Sequence, residues 1–152
     1  MAEQQAEKSG ARLAYLATGQ AFDEEMSERI ACHKADRGPA WRTIDCPLDL
    51  PAALAREAVP GQVVLVDCLT LWTSNILLAG DDMKRASDDL LGALGTAGCP
   101  VILVSNEVGL GIVPDNPLGR RFRDEAGRLH QRVAEAATAV LFVAAGLTLR
   151  LK

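Results

Sequence analysis

Asn106 and Glu107 come just after Val101–Val104, a run of four apolar residues of which three are β-branched. So short and uniformly apolar a run reads as a strand buried on both faces, as in a parallel sheet. Ligands of open α/β sheets bind beyond the carboxyl ends of the strands. An amide and a carboxylate there, on a backbone loosened by Gly109 and Gly111 and closed by Pro114, are placed to meet one. The same pattern also describes a polar turn leaving a buried strand. Asp67 repeats it at the end of Gln62–Asp67, QVVLVD. A strand-tip carboxylate resembles the position that holds Mg²⁺ in nucleotide-binding proteins, although strands also end in Asp without that role.

His33 is the third candidate. Residues 23–34 (DEEMSERIACHK) carry acids in the first turn and a cation at the end, as a helix dipole prefers. Met26, Ile30 and His33 share one face at spacings of four and three. A histidine so placed is either a packed, hydrogen-bonded core residue or a reactive one. Lys34, Arg37 and Arg42 follow closely, a cationic setting suited to phosphate. Imidazole is a good nucleophile at neutral pH and splits a nucleotidyl transfer into two easier displacements. Cations such as Lys34 and Arg37 would offset charge on an α-phosphate, and Asp67 could ligate a Mg²⁺ bridging phosphate oxygens.

The elements that must position these residues follow from pattern. Residues 2–8 are helix formers stopped by Ser9-Gly10, and Arg12–Ala17 (RLAYLA) is a strand ending in Thr18-Gly19-Gln20. Trp41–Asp45 (WRTID) is a short extended piece with Trp41, Thr43 and Asp45 on one side. Helices are expected over residues 50–58, 68–78 and 83–94, the last with Met83, Ala86, Leu90 and Leu94 on one stripe. Leu118, Phe122, Ala126, Leu129, Val133 and Ala137 recur at three- and four-residue intervals and mark the clearest helix. Its arginines are a solvated face, or else Arg121, Asp124, Arg128 and Gln131 line a cleft or an interface. Residues 139–144 (AVLFVA) read as a fourth buried strand, with residues 148–151 as an antiparallel edge. Strands alternating with helices give a mostly parallel α/β layer structure, with Gln20, Asp67, Asn106 and Glu107 gathered on one edge.

Length and composition set outer bounds. The 152 residues suit one domain, and 49% hydrophobic with 24% charged residues is ordinary for a globular chain. A net charge of −4 argues against general affinity for nucleic acid or anionic membrane. No apolar run approaches the ~20 residues of a membrane span, and no signal-peptide pattern opens the chain. The four cysteines, Cys32, Cys46, Cys68 and Cys99, form no CxxC pair and suit reduced thiols in a cytosolic protein. With only His33 and His130, a histidine-built metal site is not expected.

TGQAFDEEMSERIACHK, GPAWRTID, VLVDCLTLW, VSNEVGLGIVP and FRDEAGRLHQ occur in this order over nearly the whole chain. Together they resemble the bifunctional adenosylcobinamide kinase/adenosylcobinamide-phosphate guanylyltransferases of cobalamin synthesis. The resemblance implies a P-loop-type (RecA-like) α/β fold, residues 1–152 forming a single nucleotide-binding domain, and assembly as a homotrimer. It implies phosphorylation of adenosylcobinamide by GTP or ATP, then Mg²⁺-dependent transfer of GMP from GTP to that phosphate through a histidine, for which only His33 fits. It marks Gln20, Ala21, Phe22, Lys34, Ala35, Asp36, Arg37, Asp45 and Asp67 as nucleotide-binding, with Asp67 the Mg²⁺ ligand. Asn106, Glu107, Arg121, Asp124 and Arg128 remain cleft candidates without an assigned partner. The sequence departs from the family in four places. The strand and GxxRSGKS phosphate loop that open the family are not among these residues, and the chain begins where the following helix should be running. Asp45 and Asp67 stand where Glu is frequent, and His130 where Asn is common. The alternative reading is a catalytically impaired nucleotide- or corrinoid-binding homologue, or a structural subunit.

Overall fold

The computed structural model describes residues 10–21 and 39–152, together with Glu3, Glu24, Glu25, Glu28 and Cys32. Four strands, β1 (Arg12–Ala17), β2 (Trp41–Asp45), β3 (Gln62–Asp67) and β4 (Val101–Val104), form one parallel sheet in the order β2-β1-β3-β4. Alternation along β1 and β3 sends Ala14, Leu16, Val64 and Val66 to one face and Leu13, Tyr15, Val63 and Leu65 to the other. All eight are buried, as near-continuous apolar runs in a parallel sheet require.

The first face carries the main core. Against it lie α1 (Leu50–Glu57), α2 (Leu69–Ala79), α3 (Met83–Gly95) and α4 (Pro117–Ala136), which contribute Leu50, Leu54, Trp72, Leu90 and Leu129, all essentially inaccessible. Local chemistry sets the helix ends. Asp82 caps α3 by accepting from the N–H groups of Lys84 and Arg85. Asn116 caps α4 by accepting from Gly119 N at 2.7 Å, with Pro117 in the first turn. Gly80, at φ 77°, closes α2 in the left-handed region. Of residues 23–34, Glu24, Glu25, Glu28 and Cys32 are described, and all four are helical. No helix among the described residues is long and apolar enough to cross a membrane.

Two expectations are corrected. Residues 139–144 do not supply a fourth buried parallel strand. Only Leu141–Ala144 is extended (β5), and it pairs antiparallel with β6 (Leu147–Arg150) in a separate two-stranded sheet. Ala145 and Gly146, both at positive φ (51° and 76°), fold the chain straight back, so the expected antiparallel edge does form, but its one partner is β5 and neither strand pairs with the parallel sheet. Leu141 and Val143 are consequently exposed. Nor is β4 buried on both faces. It is the last strand of the parallel sheet, and all four of its residues are half-buried. Apolar content makes a strand, but a neighbour on each side is what buries it. The hairpin is tied to the body at the C-terminus of α4, where Lys152 Nζ donates to Ala134 O (3.0 Å) and Glu135 O (2.9 Å).

The layout predicts where stability resides. Leu16→Ala, at a fully inaccessible site, should cost about 2–5 kcal/mol in urea unfolding. Leu149→Ala, on the exposed hairpin, should stay within about 0.5 kcal/mol of wild type. Equal losses at the two positions would contradict this arrangement of the core.

Candidate functional site

The parallel register aligns the strand ends. Ala17 is level with Asp45 on β2 and with Asp67 on β3, and Asp67 is level with Val104 on β4. Asp45, Asp67 and the Ser105–Glu107 exit from β4 thus share one edge of the sheet, as does the Thr18–Gln20 exit from β1. Asp45 and the β4 exit are three strand spacings apart, ~14 Å at ~4.8 Å per strand. Asp45 is exposed, Gln20 is half-buried and Ala21 is exposed.

A buried polar clamp holds this edge. Thr18, wholly inaccessible, donates through Oγ1 to Cys68 O (2.7 Å) and accepts from Cys68 N (2.8 Å). Asn75 reaches up from α2 and donates to Thr18 O (2.7 Å) and Pro47 O (3.0 Å), tying the exits of β1 and β2 to the helix. Beside the clamp, the Tyr15 hydroxyl donates to Asp67 Oδ2. The other Asp67 oxygen has no hydrogen-bond partner among the described residues. No group of three or more metal-ligating side chains exists among them. One carboxylate with a free oxygen suits Mg²⁺, which keeps several waters and takes further oxygens from phosphates, and does not suit a closed protein cage.

A second constellation lies at the β4 end. The loop 107–109 and α4 border an open cleft of about 400 Å³ lined by Glu107, Val108, Gly109, Arg123, Asp124, Gly127, Arg128 and Gln131. Glu107 is held at its mouth. Its Oε1 accepts from Gly109 N at 2.5 Å, and a Cβ on residue 109 would lie 2.7 Å from that oxygen and push the Glu107 side chain aside. Its Oε2 lies 3.9 Å from His130 Nδ1. On the other side of the ring, His130 Nε2 is 2.6 Å from Ser105 Oγ, which is 3.1 Å from Thr70 Oγ1. Asn106 N donates to that Thr70 oxygen at 2.7 Å. Burial lowers the His130 pKa from 6.5, and the Glu107 carboxylate opposes this only in part. The ring is neutral at neutral pH, and its contact with Glu107 is therefore not an ion pair.

Other candidates separate from the site. Arg42 has a partner of its own. It pairs with Glu57 at the end of α1, near the start of β3, and that ion pair holds the Glu57 carboxyl below its usual range. Burial, aided by Asp45, pushes the Cys46 thiol up to about 11, and burial raises Cys68 as well, so neither supplies thiolate near neutral pH. The model of the cobinamide kinase/cobinamide phosphate guanyltransferase family matches residues 1–151.

The chain belongs to this family. It is 50% identical over 155 residues to the bifunctional adenosylcobalamin biosynthesis protein CobP of Pseudomonas aeruginosa, an alignment covering 100% of this chain and 89% of the relative. It is 41% and 38% identical over 153 residues to the CobU proteins of Salmonella typhimurium and Escherichia coli, with 91% of this chain and 84% of each relative aligned. Family and relatives are kinase and guanylyltransferase enzymes of cobalamin biosynthesis. The expected α/β fold with a mostly parallel sheet is found. Among the family-implied site residues, His33, Phe22, Lys34, Ala35, Asp36 and Arg37 lie outside the described residues.

Of the five cleft candidates, Glu107, Asp124 and Arg128 line the cavity together. Asn106 lies beside it, its backbone bonded to Thr70, whereas Arg121 is exposed and is not among the lining residues. Arg123 and Gly127 were missed, although 123, 124, 127, 128 and 131 form one stripe of α4 and 123/127 is an i,i+4 pair. His130 reads from sequence only as a residue of the arginine-rich helix. Its contact with Ser105 crosses 25 positions, and no local spacing announces it.

The buried ring predicts a pH effect. Below 6.5 the unfolded chain takes up a proton that the folded His130 resists, so stability falls as pH drops from 6.5 through the folded value. His130→Asn should flatten the slope of urea midpoints between about pH 7.5 and 5.5. An unchanged slope would mean that the ring is not buried in solution. Asn75→Ala should cost about 1–3 kcal/mol by leaving two backbone carbonyls unpaired.

Proposed function

We propose that the chain carries out its family's chemistry at the carboxyl edge of the sheet, transferring GMP from GTP to the phosphate of adenosylcobinamide phosphate with His33 as the carrier. The observation behind this reading is the register that sets Asp45, Ala17, Asp67 and Val104 level along that edge. In the first step an imidazole nitrogen of His33 attacks the α-phosphorus of GTP, the bond to the β-phosphate oxygen breaks, and pyrophosphate leaves. In the second, an oxygen of the corrinoid phosphate attacks the same phosphorus and the phosphorus–nitrogen bond breaks, giving adenosylcobinamide-GDP. Lys34 and Arg37 offset charge on the α-phosphate. Gln20, Ala21, Phe22, Ala35, Asp36 and Asp45 complete the nucleotide site, and Asp67 would hold Mg²⁺, which when bound neutralises phosphate charge. The chain works in the cytoplasm as a homotrimer, measurable by sedimentation. Its cysteines, free among the described residues, accord with a reducing compartment.

Phosphorylation of adenosylcobinamide by GTP or ATP is the family's other step, and here this chain alone should be slow. No GxxxxGK[ST] segment occurs among its residues, and each fixed donor to transferring phosphate can be worth about 10²–10³ in rate. A normal rate from these 152 residues would refute this; joining a GxxRSGKS segment at the N-terminus should raise the rate.

The carrier is tested with α-labelled GTP and Mg²⁺, in this chain and in the chain so extended. A phosphohistidine is a phosphoramidate, labile in acid and stable in base. Label should vanish in His33→Ala and persist in His130→Ala. The opposite pattern would overturn the assignment, and absence of label from both forms of the wild type would exclude covalent transfer through histidine.

A further inference from the structure

The cavity beside β4 has the wrong chemistry for a nucleotide triphosphate. Glu107 and Asp124 face it together with Arg123 and Arg128, so its formal charges cancel. A triphosphate would bring several negative oxygens against two carboxylates, which can donate nothing to them. A primary amide matches both halves of the set, since its N–H donates to carboxylate and its carbonyl accepts from guanidinium.

Three further observations point to a ligand of that kind. Arg128 is paired with Glu125 at 2.9 Å, but half-buried Arg123 has no ion-pair or hydrogen-bond partner among the described residues. Glu107 is turned to the mouth of the cleft by the bond that its Oε1 accepts from Gly109 N. Its Oε2, 3.9 Å from the His130 ring, is left open to a donor from a ligand. Beyond the cavity, the same loop holds Leu110 (81% exposed) and Ile112 (98% exposed) in solvent. A mixed-sign polar cleft beside an apolar tip fits a molecule with an apolar ring and amide arms.

We propose that this cleft binds the amide side arms of the corrinoid acceptor, with Arg123 and Glu107 as the polar contacts and Leu110 and Ile112 against the ring. This rests on the reading of the chain as a corrinoid-using enzyme, and not on which histidine carries GMP.

Equilibrium dialysis of the 152-residue chain against adenosylcobinamide, and separately against GTP, tests it. Arg123→Ala and Glu107→Gln should each weaken corrinoid binding about tenfold, near one good polar contact, and leave GTP binding within about twofold. Adenosylcobinamide whose amides have been hydrolysed to carboxylates should bind worse. The proposal falls if the wild type fails to bind adenosylcobinamide, if Arg123→Ala and Glu107→Gln bind it normally, or if they lose GTP instead. Corrinoid binding that behaves as expected, in a chain that takes no label from GTP, would leave the cleft standing and remove the guanylyl-transfer reading.

Discussion

The pairing of β1 with β3 is the constraint on which the rest depends. Six residue pairs in register, from Arg12 with Gln62 to Ala17 with Asp67, bury both strands on both faces and bring two chain exits side by side. Because side chains alternate with a period of two, a slip of one residue would send Tyr15 and Leu65 to the face of Ala14 and Val64. The buried surface on each side forbids it. Thr18 and Cys68, the next residues after this register, are locked by reciprocal hydrogen bonds. Asp67 is thus delivered to a fixed point by the core beneath it.

The other half of the edge is organised by polar contacts instead. β4 lies at the border of the sheet and is only half-buried, so packing alone leaves its exit loosely specified. The chain of contacts from Thr70 on α2 through Ser105 to His130 on α4 supplies the missing constraint. Each member is part-buried, where a hydrogen bond counts for more than in water and an unpaired group is costly. Gly109 then lets its own backbone N–H receive the Glu107 carboxylate. The two sides of the edge differ in kind. Asp67 is set by the sheet, and Glu107 by its neighbours in a loop.

That difference also explains what could be read in advance. Asp67 and Glu107 were visible because each follows an apolar run at once, and position in a strand is a local property. The helix of residues 117–136 was legible for the same reason, its stripe repeating every three or four residues. Arg42 misled because a cation's place in a charged stretch does not name its partner in the fold. Along an extended strand each residue advances ~3.3 Å, and Arg42 sits three residues back from the strand tip, where it meets Glu57. His130 was invisible as a partner of Ser105 because helix and loop are distant in sequence.

By itself, then, the sequence determined most of the strands and helices among residues 12–17 and 41–136, which carboxylates stand at strand ends, and, through its ordered motifs, the family. Those are matters of local composition and periodicity, settled within a few residues of each position. Tertiary structure decided that the hairpin of residues 141–150 stands apart from the parallel sheet, that β4 is a border strand, and that Arg123 joins Glu107 along one cleft. It also decided that His130 is a neutral ring held between Ser105 and Glu107. Each of these depends on which surfaces meet, and the free energy of such contacts is spread over residues far apart in the chain, where no local pattern records it.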